Sequence, residues 1–419
     1  MRTTLAALAL ACAALTHAPA TSAAPPKATA VTAQGFSPER LQRLDAAIEE
    51  QIGKQQLAGG VMAVLRDGKP VVFKAYGQRD IENARPMRTD TIFRIASMTK
   101  ALTTVAAMIL YEEGRFLLKD PVARYLPAFA NVQVALPGGG TEKPRRALTI
   151  HDLLTHTAGM SYGGGPAQAA YSAAGMKDWY LVGNDETLAQ WTDRFAALPL
   201  QSQPGEQFIY GYATDVLGRL VEVVSGQPLD RFIKERITDP LRMPDTSFFL
   251  PPEKVERLAN VYGLEGGQLK LMETSAKSDF VNGPRKLLSG GAGMLSTAGD
   301  YTRFLQMLLN QGELDGVRIL APHTVALMTA DHLGSKSGGD ADGFGLGFWV
   351  NVKRGGFKEL GSEGAFGWGS AYFPQYTVDP KERLVILFMT QLRPAGNSTL
   401  HLRVRNLTYQ ALKKRVEAS

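Results

Sequence analysis

The stretch RIASMTK at residues 94–100 runs directly into ALTTVAAMIL at residues 101–110. The second segment is mostly apolar and contains no proline or glycine, so the pattern predicts a long helix that is buried on nearly all sides. A buried helix would not ordinarily carry a lysine near its start. Because helix positions three apart lie on the same face, we expect the side chains of Ser97 and Lys100 to be neighbours.

Two interpretations of this Ser-x-x-Lys pair are open at this point. In the catalytic interpretation, the ammonium of Lys100 and the free N–H groups of the helix N-terminus stabilise a serine alkoxide and the oxyanion that it forms. In the structural one, Ser97 caps the helix and Lys100 extends to solvent. Chance gives about one such pair in a chain of this length, so the remaining sequence has to decide.

The bulk composition is that of an ordinary globular protein. Of the 419 residues, 44% are hydrophobic and 21% are charged, which allows one large domain or two intermingled ones. The formal net charge of +6 is spread along the chain rather than clustered. Without a basic helix or a basic-aromatic stripe, nucleic acid is not an expected partner.

The N-terminus has the pattern of a secretory signal. Residues 1–24 combine Arg2, an apolar run over residues 5–15 and several small residues beyond it, and the run is too short to span a bilayer. Residues 25–36 are predicted to be a linker. The only cysteine, Cys12, lies inside the signal, so a mature chain would contain no disulfide and no thiolate metal site. We therefore expect a periplasmic or secreted protein with no transmembrane segment after cleavage.

The order of local patterns predicts an α+β fold. β-rich runs at residues 60–65 and 71–76 form a hairpin, helical patterns with many turns fill residues 120–288, and strands return after them. The later strand candidates are residues 344–352, 367–378 and 384–391. This order predicts an antiparallel sheet flanked by helices, made of residues 37–119 plus 289–419, with a mainly helical domain of residues 120–288 inserted.

Ser161 competes with Ser97 for the role of nucleophile. Residues 159–163, GMSYG, match the Gly-x-Ser-x-Gly elbow of α/β-hydrolases. That elbow works only on a sharp turn from a strand into a helix, whereas the preceding residues 148–158 have a short helical pattern capped by Thr149. We therefore predict that Ser161 is not the nucleophile.

The histidines offer little catalytic support. None of them forms a pair with metal-ligand spacing on a convincing helix, and His156 is interpreted as a structural group. The sequence also lacks a phosphate-binding loop and a dinucleotide fingerprint. No metal and no cofactor are expected.

Two further segments could complete a serine site. In residues 204–215, Tyr210 or Tyr212 could act as a base next to a cation, although single tyrosines are more often packing residues. In residues 364–373, small residues would let main-chain N–H groups complete an oxyanion hole with that of Ser97, although an edge strand kinked by glycines explains the same pattern.

Together these segments resemble the penicillin-recognising serine hydrolases. That family includes class C β-lactamases, D-Ala-D-Ala carboxypeptidases and the family VIII carboxylesterases, and the similarity extends from about Ser37 to the C-terminus. The matching segments, in the family's order, are residues 97–100 (SMTK), 153–159 (LLTHTAG), 204–206 (PGE) before Tyr210, and 289–293 (SGGAG). The resemblance implies a β-lactamase/transpeptidase-like fold with the site in the cleft between two parts.

The resemblance also implies roles for individual residues. Ser97 would be the nucleophile, Lys100 its activator and Tyr210 the proton shuttle. The N–H groups of Ser97 and Ala371 would form the oxyanion hole. The esterase branch is similar in a further respect, because its members also carry a non-functional Gly-x-Ser-x-Gly.

Two departures from the family pattern concern substrate binding. Tyr212 stands where the family's Tyr-x-Asn motif has asparagine. The Lys-Thr-Gly motif is replaced by Trp368, Gly369 and Ser370, which resembles the Trp-Gly-Gly of the family VIII carboxylesterases. Loss of the lysine removes a cation suited to a substrate carboxylate, and a tryptophan favours neutral, apolar acyl groups.

These observations predict an exported serine hydrolase that cleaves carboxylic esters, or a related amide or lactam, through a Ser97 acyl-enzyme. Its partner would be a small-molecule substrate. The alternatives are a β-lactamase or D-amino-acid peptidase, or a non-catalytic family member that binds peptidoglycan. The natural substrate and the oligomeric state stay open.

Overall fold

The computed structural model describes residues 34–176, 178–337, 342–352 and 359–414. The predicted signal segment and most of the predicted linker lie outside these residues, so both stay predictions. Within the described ranges, no helix combines the length and the apolar character needed to cross a membrane.

The sheet is built from strands near both ends of the chain. In chain order the strands are β1 (Gly59–Arg66), β2 (Lys69–Asp80), β3 (Arg85–Pro86), β4 (Ile92–Arg94), β5 (Val134–Ala135), β6 (Thr141–Glu142), β7 (Val261–Glu265), β8 (Gln268–Glu273), β9 (Leu295–Thr297), β10 (Glu313–Leu314), β11 (Val317–Arg318), β12 (Asp342–Phe344), β13 (Trp349–Asn351), β14 (Phe366–Gly369), β15 (Gln375–Asp379) and β16 (Leu384–Thr390). Among the described residues, eight of them form one sheet in the order β12-β13-β14-β15-β16-β1-β2-β3. Neighbouring strands in this sheet are antiparallel, which confirms the predicted α+β fold with an antiparallel sheet.

Helices cover both faces of the sheet. They are α1 (Pro38–Gly53), α2 (Thr99–Glu112), α3 (Ile150–Leu154), α4 (Gln168–Ala173), α5 (Leu188–Ala196), α6 (Ala213–Ser225), α7 (Leu229–Ile233), α8 (Asp279–Asn282), α9 (Ala298–Leu309), α10 (Pro322–Met328) and α11 (Leu400–Tyr409). Successive residues of a strand face opposite sides, so Met62 and Val64 of β1 pack with α1 and α11, while Val61 and Ala63 share the main core with α2 and α9.

Helix α2 lies at the centre of the main core. Every residue from Thr99 to Leu110 is buried, as the apolar sequence predicted. The helix begins later than the sequence suggested, because residues Ala96–Met98 form a separate 3-10 turn. Ser97 therefore stands on that turn, just before the helix rather than inside it.

Two predicted strands are each divided in the structure. The segment 344–352 separates into β12 and β13, with Gly347 at φ +85° between them, and 367–378 separates into β14 and β15 around a turn in which Phe373 has φ +75°. A positive φ interrupts the extended backbone that a continuous strand requires. The mainly helical segment 120–288 also contains two short hairpins, β5–β6 and β7–β8. The division into two domains at the predicted boundaries stays a prediction.

Candidate active site

The turn that carries Ser97 is fixed from two sides. Strand β4, which leads into it, pairs with β9, and the Ile95 N–H donates to the Met294 carbonyl at 3.0 Å. Ala96 has φ +35°, a conformation that costs a residue with a Cβ about 1 kcal/mol. Strain of this kind persists only where the surroundings impose it, and in this turn it sets the direction of Ser97.

The hydroxyl and the main-chain N–H of Ser97 are both available for hydrogen bonds. The side chain is half-buried, and within the described ranges neither its hydroxyl nor its N–H makes a hydrogen bond to a protein atom. The same is true of the Ala371 N–H, and Ala371 packs against a small cluster that includes Ala96. The two N–H groups predicted to form the oxyanion hole therefore belong to neighbouring segments and are free to donate.

Lys100 is only 1% exposed, and its ammonium points into a polar pocket. Its Nζ donates to the Gly291 carbonyl at 2.8 Å and to the Tyr162 hydroxyl oxygen at 2.9 Å. The Nζ also lies 4.6 Å from the ring centroid of Tyr210, a cation–π contact. No hydrogen bond joins Lys100 to Ser97 in the described part of the chain. One of its three N–H donors is therefore uncommitted.

Tyr162 is the residue that sequence reasoning missed. Burial, followed by its neighbours Tyr210, Asp215 and Tyr212, raises the pKa of its phenol well above the usual value, so the hydroxyl is protonated. Its oxygen accepts a hydrogen bond from Lys100, which leaves its own hydrogen available. The one sequence signal was its position directly after Ser161, in the motif that had been set aside.

Tyr210 is brought to this pocket by a close main-chain approach. A Cβ at Gly211 would collide with the carbonyl oxygen of Met160, so only glycine lets the two segments come together. The rings of Tyr210 and Tyr162 meet edge-to-face with centroids 5.7 Å apart. The two tyrosines therefore stand side by side around the ammonium.

Trp368 closes the pocket from β14. Its indole Nε1–H donates to the Tyr210 hydroxyl at 3.1 Å, and its ring meets that of Phe344 edge-on with centroids 5.3 Å apart. Gly369 and Ser370 follow it and are partly exposed at the end of the strand. The structure thus places Trp368 in direct contact with the predicted proton shuttle.

Tyr212 occupies a different position from its predicted role at the substrate. The side chain is fully buried, and its hydroxyl donates to the Asp178 carbonyl at 2.6 Å. Its ring packs against Tyr162 with centroids 4.8 Å apart, and against Trp191 and Phe195. In this position Tyr212 supports Tyr162 from behind.

The histidines lie outside the hydrogen-bonding system of Lys100. His156 is buried beside Tyr210, and burial together with Lys100 holds the pKa of its imidazole well below the usual value, so the ring is neutral. His151 and His332, far apart in sequence, are joined by a hydrogen bond of 3.1 Å. The described residues contain no cluster of three or more potential metal-ligand side chains.

Ser161 is engaged as a structural hydroxyl. Its oxygen accepts hydrogen bonds from Gln201 Nε2 at 3.0 Å and from the Gly163 N–H at 3.1 Å. The segment that precedes it is helix α3 and a loop rather than a strand, and the next helix, α4, begins only at Gln168. The strand–turn–helix geometry that a nucleophile elbow requires is therefore missing around Ser161.

The chain is similar to known proteins over most of its length. A model of the family described as Beta-lactamase matches residues 44–409. Protein Rv1367c from Mycobacterium tuberculosis (strain ATCC 25618 / H37Rv) is 36% identical over 368 residues, which cover 83% of this chain and 89% of that protein. Esterase EstB from Burkholderia gladioli is 31% identical over 396 residues, covering 88% of this chain and 94% of that protein.

A solved structure shows the same fold. It is that of EstCE1, described as a hydrolase with promiscuous acyltransferase activity, and it superposes with a TM-score of 0.76 at 28% sequence identity. The match covers 88% of this chain and 98% of that one. The chain therefore belongs to the β-lactamase family of serine hydrolases.

Proposed function

We propose that the protein hydrolyses carboxylic esters through an acyl-enzyme on Ser97. One observation carries this proposal: the buried Lys100 ammonium contacts both Tyr162 and Tyr210 at the start of the helix that follows Ser97, while the Ser97 hydroxyl is uncommitted. A serine nucleophile needs a base and a means of stabilising negative charge, and the same few residues can supply both.

In the proposed acylation step, Ser97 Oγ attacks the ester carbonyl carbon while its proton passes to the phenolate oxygen of Tyr210. The Trp368 indole N–H and the Lys100 ammonium favour negative charge on that oxygen. The carbonyl oxygen becomes an oxyanion held by the N–H groups of Ser97 and Ala371. When the intermediate collapses, the ester C–O bond breaks and Tyr210 protonates the departing alkoxide.

Deacylation repeats these steps with water. Tyr210, again as a phenolate, removes a proton from the water that attacks the acyl carbon, and the oxyanion is held as before. The bond between that carbon and Ser97 Oγ then breaks, and the proton held by Tyr210 returns to the serine. The products are a carboxylic acid and free enzyme.

Esters are favoured over β-lactams because of the aromatic side chains next to Tyr210. Trp368 occupies the position of a cation that would bind a substrate carboxylate, and the rings of Tyr210 and Phe344 lie against it. An aromatic wall of this kind suits a neutral, apolar acyl group. β-Lactamase or D-amino-acid peptidase activity is the alternative, and a peptidoglycan-binding member without turnover is a further one.

Acyl transfer is a second candidate activity. The partly exposed rings of Tyr210 and Trp368 offer apolar surface to an incoming acceptor, which suits an alcohol as well as water. EstCE1 is described as having promiscuous acyltransferase activity. In a test with p-nitrophenyl butyrate plus a primary alcohol, transfer would appear as butyrate ester formed at the expense of free butyrate.

The test of the main proposal compares three substrates. p-Nitrophenyl butyrate should be turned over with a kcat/KM at least about 100-fold above that for nitrocefin or a D-Ala-D-Ala peptide. Rapid quenching followed by peptide mass spectrometry should locate a butyryl adduct on Ser97. Faster nitrocefin turnover would favour the β-lactamase alternative, and failure to form a fluorophosphonate adduct would favour the non-catalytic one.

Export is part of the proposal and rests on the pattern of residues 1–24 alone. Expression of the full chain in a Gram-negative host should yield active protein in the periplasmic fraction. Intact-mass analysis should show cleavage near the small residues that follow residue 15. Recovery of an uncleaved chain in the cytoplasmic fraction would contradict it.

A further inference from the structure

The hydrogen bonds of the buried Lys100 ammonium go to neutral groups. Its hydrogen-bond acceptors are a main-chain carbonyl and a phenol, and none of the ion pairs among the described residues includes it. A buried charge is tolerated only when an opposite charge or well-aligned dipoles compensate it. The structure should therefore contain an anion that balances Lys100 without touching it.

Asp215 of helix α6 has the required features. It is 1% exposed, and its Oδ1 accepts hydrogen bonds from the Ser289 hydroxyl at 2.6 Å and from the Gly291 N–H at 3.0 Å. A donor–acceptor distance of 2.6 Å between two oxygens is typical of a hydroxyl that donates to an ionised carboxylate. Ser289 has its single hydrogen available for this bond, because its oxygen accepts the Ala292 N–H at 3.0 Å.

A continuous chain of hydrogen bonds joins Asp215 to Lys100. Lys100 donates to the carbonyl of the peptide that links residues 291 and 292, and the N–H of that same peptide donates to Ser289, whose hydroxyl donates to Asp215. Every dipole in this chain points the same way, so each bond polarises the next. Gly291 permits the arrangement, since a Cβ there would lie 2.5 Å from Asp215 Oδ2.

We propose that Asp215 is the buried counter-charge of Lys100 and a positioning residue for the Ser97 reaction, acting through Ser289 and the 291–292 peptide. This inference rests on the proposed function for the step that Lys100 serves, but the charge pair can be measured without turnover. Asp215 would keep the ammonium charged and fixed beside Tyr162 and Tyr210. Loss of its charge would make the lysine easier to deprotonate.

The other groups around Asp215 leave this assignment unchanged. Burial raises the pKa of its carboxyl, while Lys100 and the two hydrogen-bond donors oppose that rise. Tyr162 and Tyr212 also face it, and burial raises the pKa of both phenols, so they are neutral. On the packed helices α3, α5 and α7, Asp152 is paired with Arg146 and His151 is half-buried. The other charged side chains of these helices are exposed: Asp193, Arg194, Asp230 and Arg231.

The test is Asp215→Asn, which keeps the shape and removes the charge. In protein labelled with [13Cε]lysine, the Lys100 resonance, assigned with Lys100→Met, should titrate at a pH lower by about one unit than in the wild type. Because the reaction needs the charged ammonium, the alkaline limb of kcat/KM for p-nitrophenyl butyrate should move in the same direction. We expect kcat to fall about tenfold at a KM within twofold of wild type.

Two further variants separate the proposal from a structural role. Ser289→Ala keeps the carboxylate but interrupts the row of hydrogen bonds between Lys100 and Asp215, so it should move the Lys100 titration in the same direction by a smaller amount. Should Asp215→Asn not fold, Ser289→Ala alone tests the proposal. Asp300→Asn removes another buried carboxylate, which accepts hydrogen bonds from the Asp245 N–H and the Thr246 hydroxyl. This variant should lower the stability of the fold but leave the Lys100 titration unchanged. A Lys100 titration within 0.2 pH unit of wild type in Asp215→Asn and Ser289→Ala would overturn the proposal, whether or not esters are hydrolysed.

Discussion

Ser97 and Ser161 both stand in short motifs typical of nucleophiles, but their surroundings differ in every respect that matters for catalysis. Ser97 lies on a strained turn before a buried helix, with a free hydroxyl and a lysine one turn further along. Ser161 lies in a loop, and its hydroxyl accepts two hydrogen bonds from neighbouring groups. A motif match therefore says little about catalysis until the hydrogen-bond partners of the serine hydroxyl and its distance from a base are known.

The two regions are nevertheless connected through Tyr162. This residue follows Ser161 in sequence, yet its hydroxyl accepts a hydrogen bond from Lys100 and its ring packs against Tyr210. The loop that resembles a hydrolase elbow thus contributes Tyr162, rather than Ser161, to the site. The comparison teaches that the Ser161 loop supports the site in which Ser97 is proposed to react.

The largest predicted effect separates the two serines. Ser97→Ala should reduce kcat for p-nitrophenyl butyrate by at least about 10⁴-fold, because it removes the proposed nucleophile. Ser161→Ala should leave kcat within about threefold, since its hydroxyl only accepts hydrogen bonds from Gln201 and Gly163. Steady-state rates with active-site titration would measure both. Comparable losses in the two variants would make the distinction between them untenable.

The next prediction concerns the phenols. Tyr210→Phe should lower kcat about 10²- to 10³-fold by removing the proposed base, and Tyr162→Phe about tenfold by removing an acceptor from Lys100. Tyr171→Phe is the control, because Tyr171 is a buried tyrosine whose hydroxyl has no hydrogen-bond partner among the described residues. Should Tyr162→Phe behave like Tyr171→Phe, the Ser161 loop would have no part in the reaction.

Much of the fold could be predicted from local sequence. The buried helix α2, the hairpin β1–β2 and the Thr149 cap of α3 each have a periodic or capping signal within a few residues. The strands near the C-terminus were predicted with the wrong bounds, because the turns at Gly347 and Phe373 depend on backbone angles that the sequence does not reveal. The order of strands in the sheet depends on long-range pairing, such as that of β1 with β16, which no local pattern encodes.

The candidate site could be predicted only in part. Ser97, Lys100, Tyr210 and Trp368 stand in recognisable segments, and the structure brings the last three into contact. Tyr162 could not be found in this way, because its role arises from the close approach that Gly211 permits. Local pattern pointed to the residues that are proposed to carry the chemistry, whereas the residues that support them could be found only in the packed fold.

A smaller effect is expected for Trp368→Phe. Phenylalanine keeps an aromatic ring against Tyr210 but cannot donate the indole hydrogen bond to its hydroxyl. We expect kcat to fall about tenfold with little change in KM, because the lost bond stabilises the base rather than the bound ester. Trp349→Phe, on the neighbouring strand β13 where the ring stacks on Arg405, should leave both constants unchanged. A rise in KM at constant kcat would instead place Trp368 in ground-state binding.

The smallest predicted effect is that of His156 on the pH dependence of the protein's stability. His156 lies in the Ser161 region and packs against the ring of Tyr210. Its pKa in the folded protein is well below the usual histidine value of about 6.5, chiefly because of burial. As the pH falls below about 6.5, the unfolded chain gains a proton that the folded chain does not, so the free energy of unfolding decreases by up to about 1.4 kcal/mol per pH unit. His156→Leu should remove this contribution.

Urea unfolding of the wild type and His156→Leu between pH 8 and pH 5 would measure the difference. Above about pH 7.5 the histidine is neutral in both states, so the two stability curves should run parallel there whatever the cost of the substitution itself. Below pH 6.5 the wild-type curve should fall more steeply, although His151 and His401, whose pKa values are also lowered, give both proteins some slope. Curves that stay parallel down to pH 5 would mean that His156 takes up a proton in the folded state. The Ser161 region would then not be the dry, neutral support for Tyr210 that its contacts indicate.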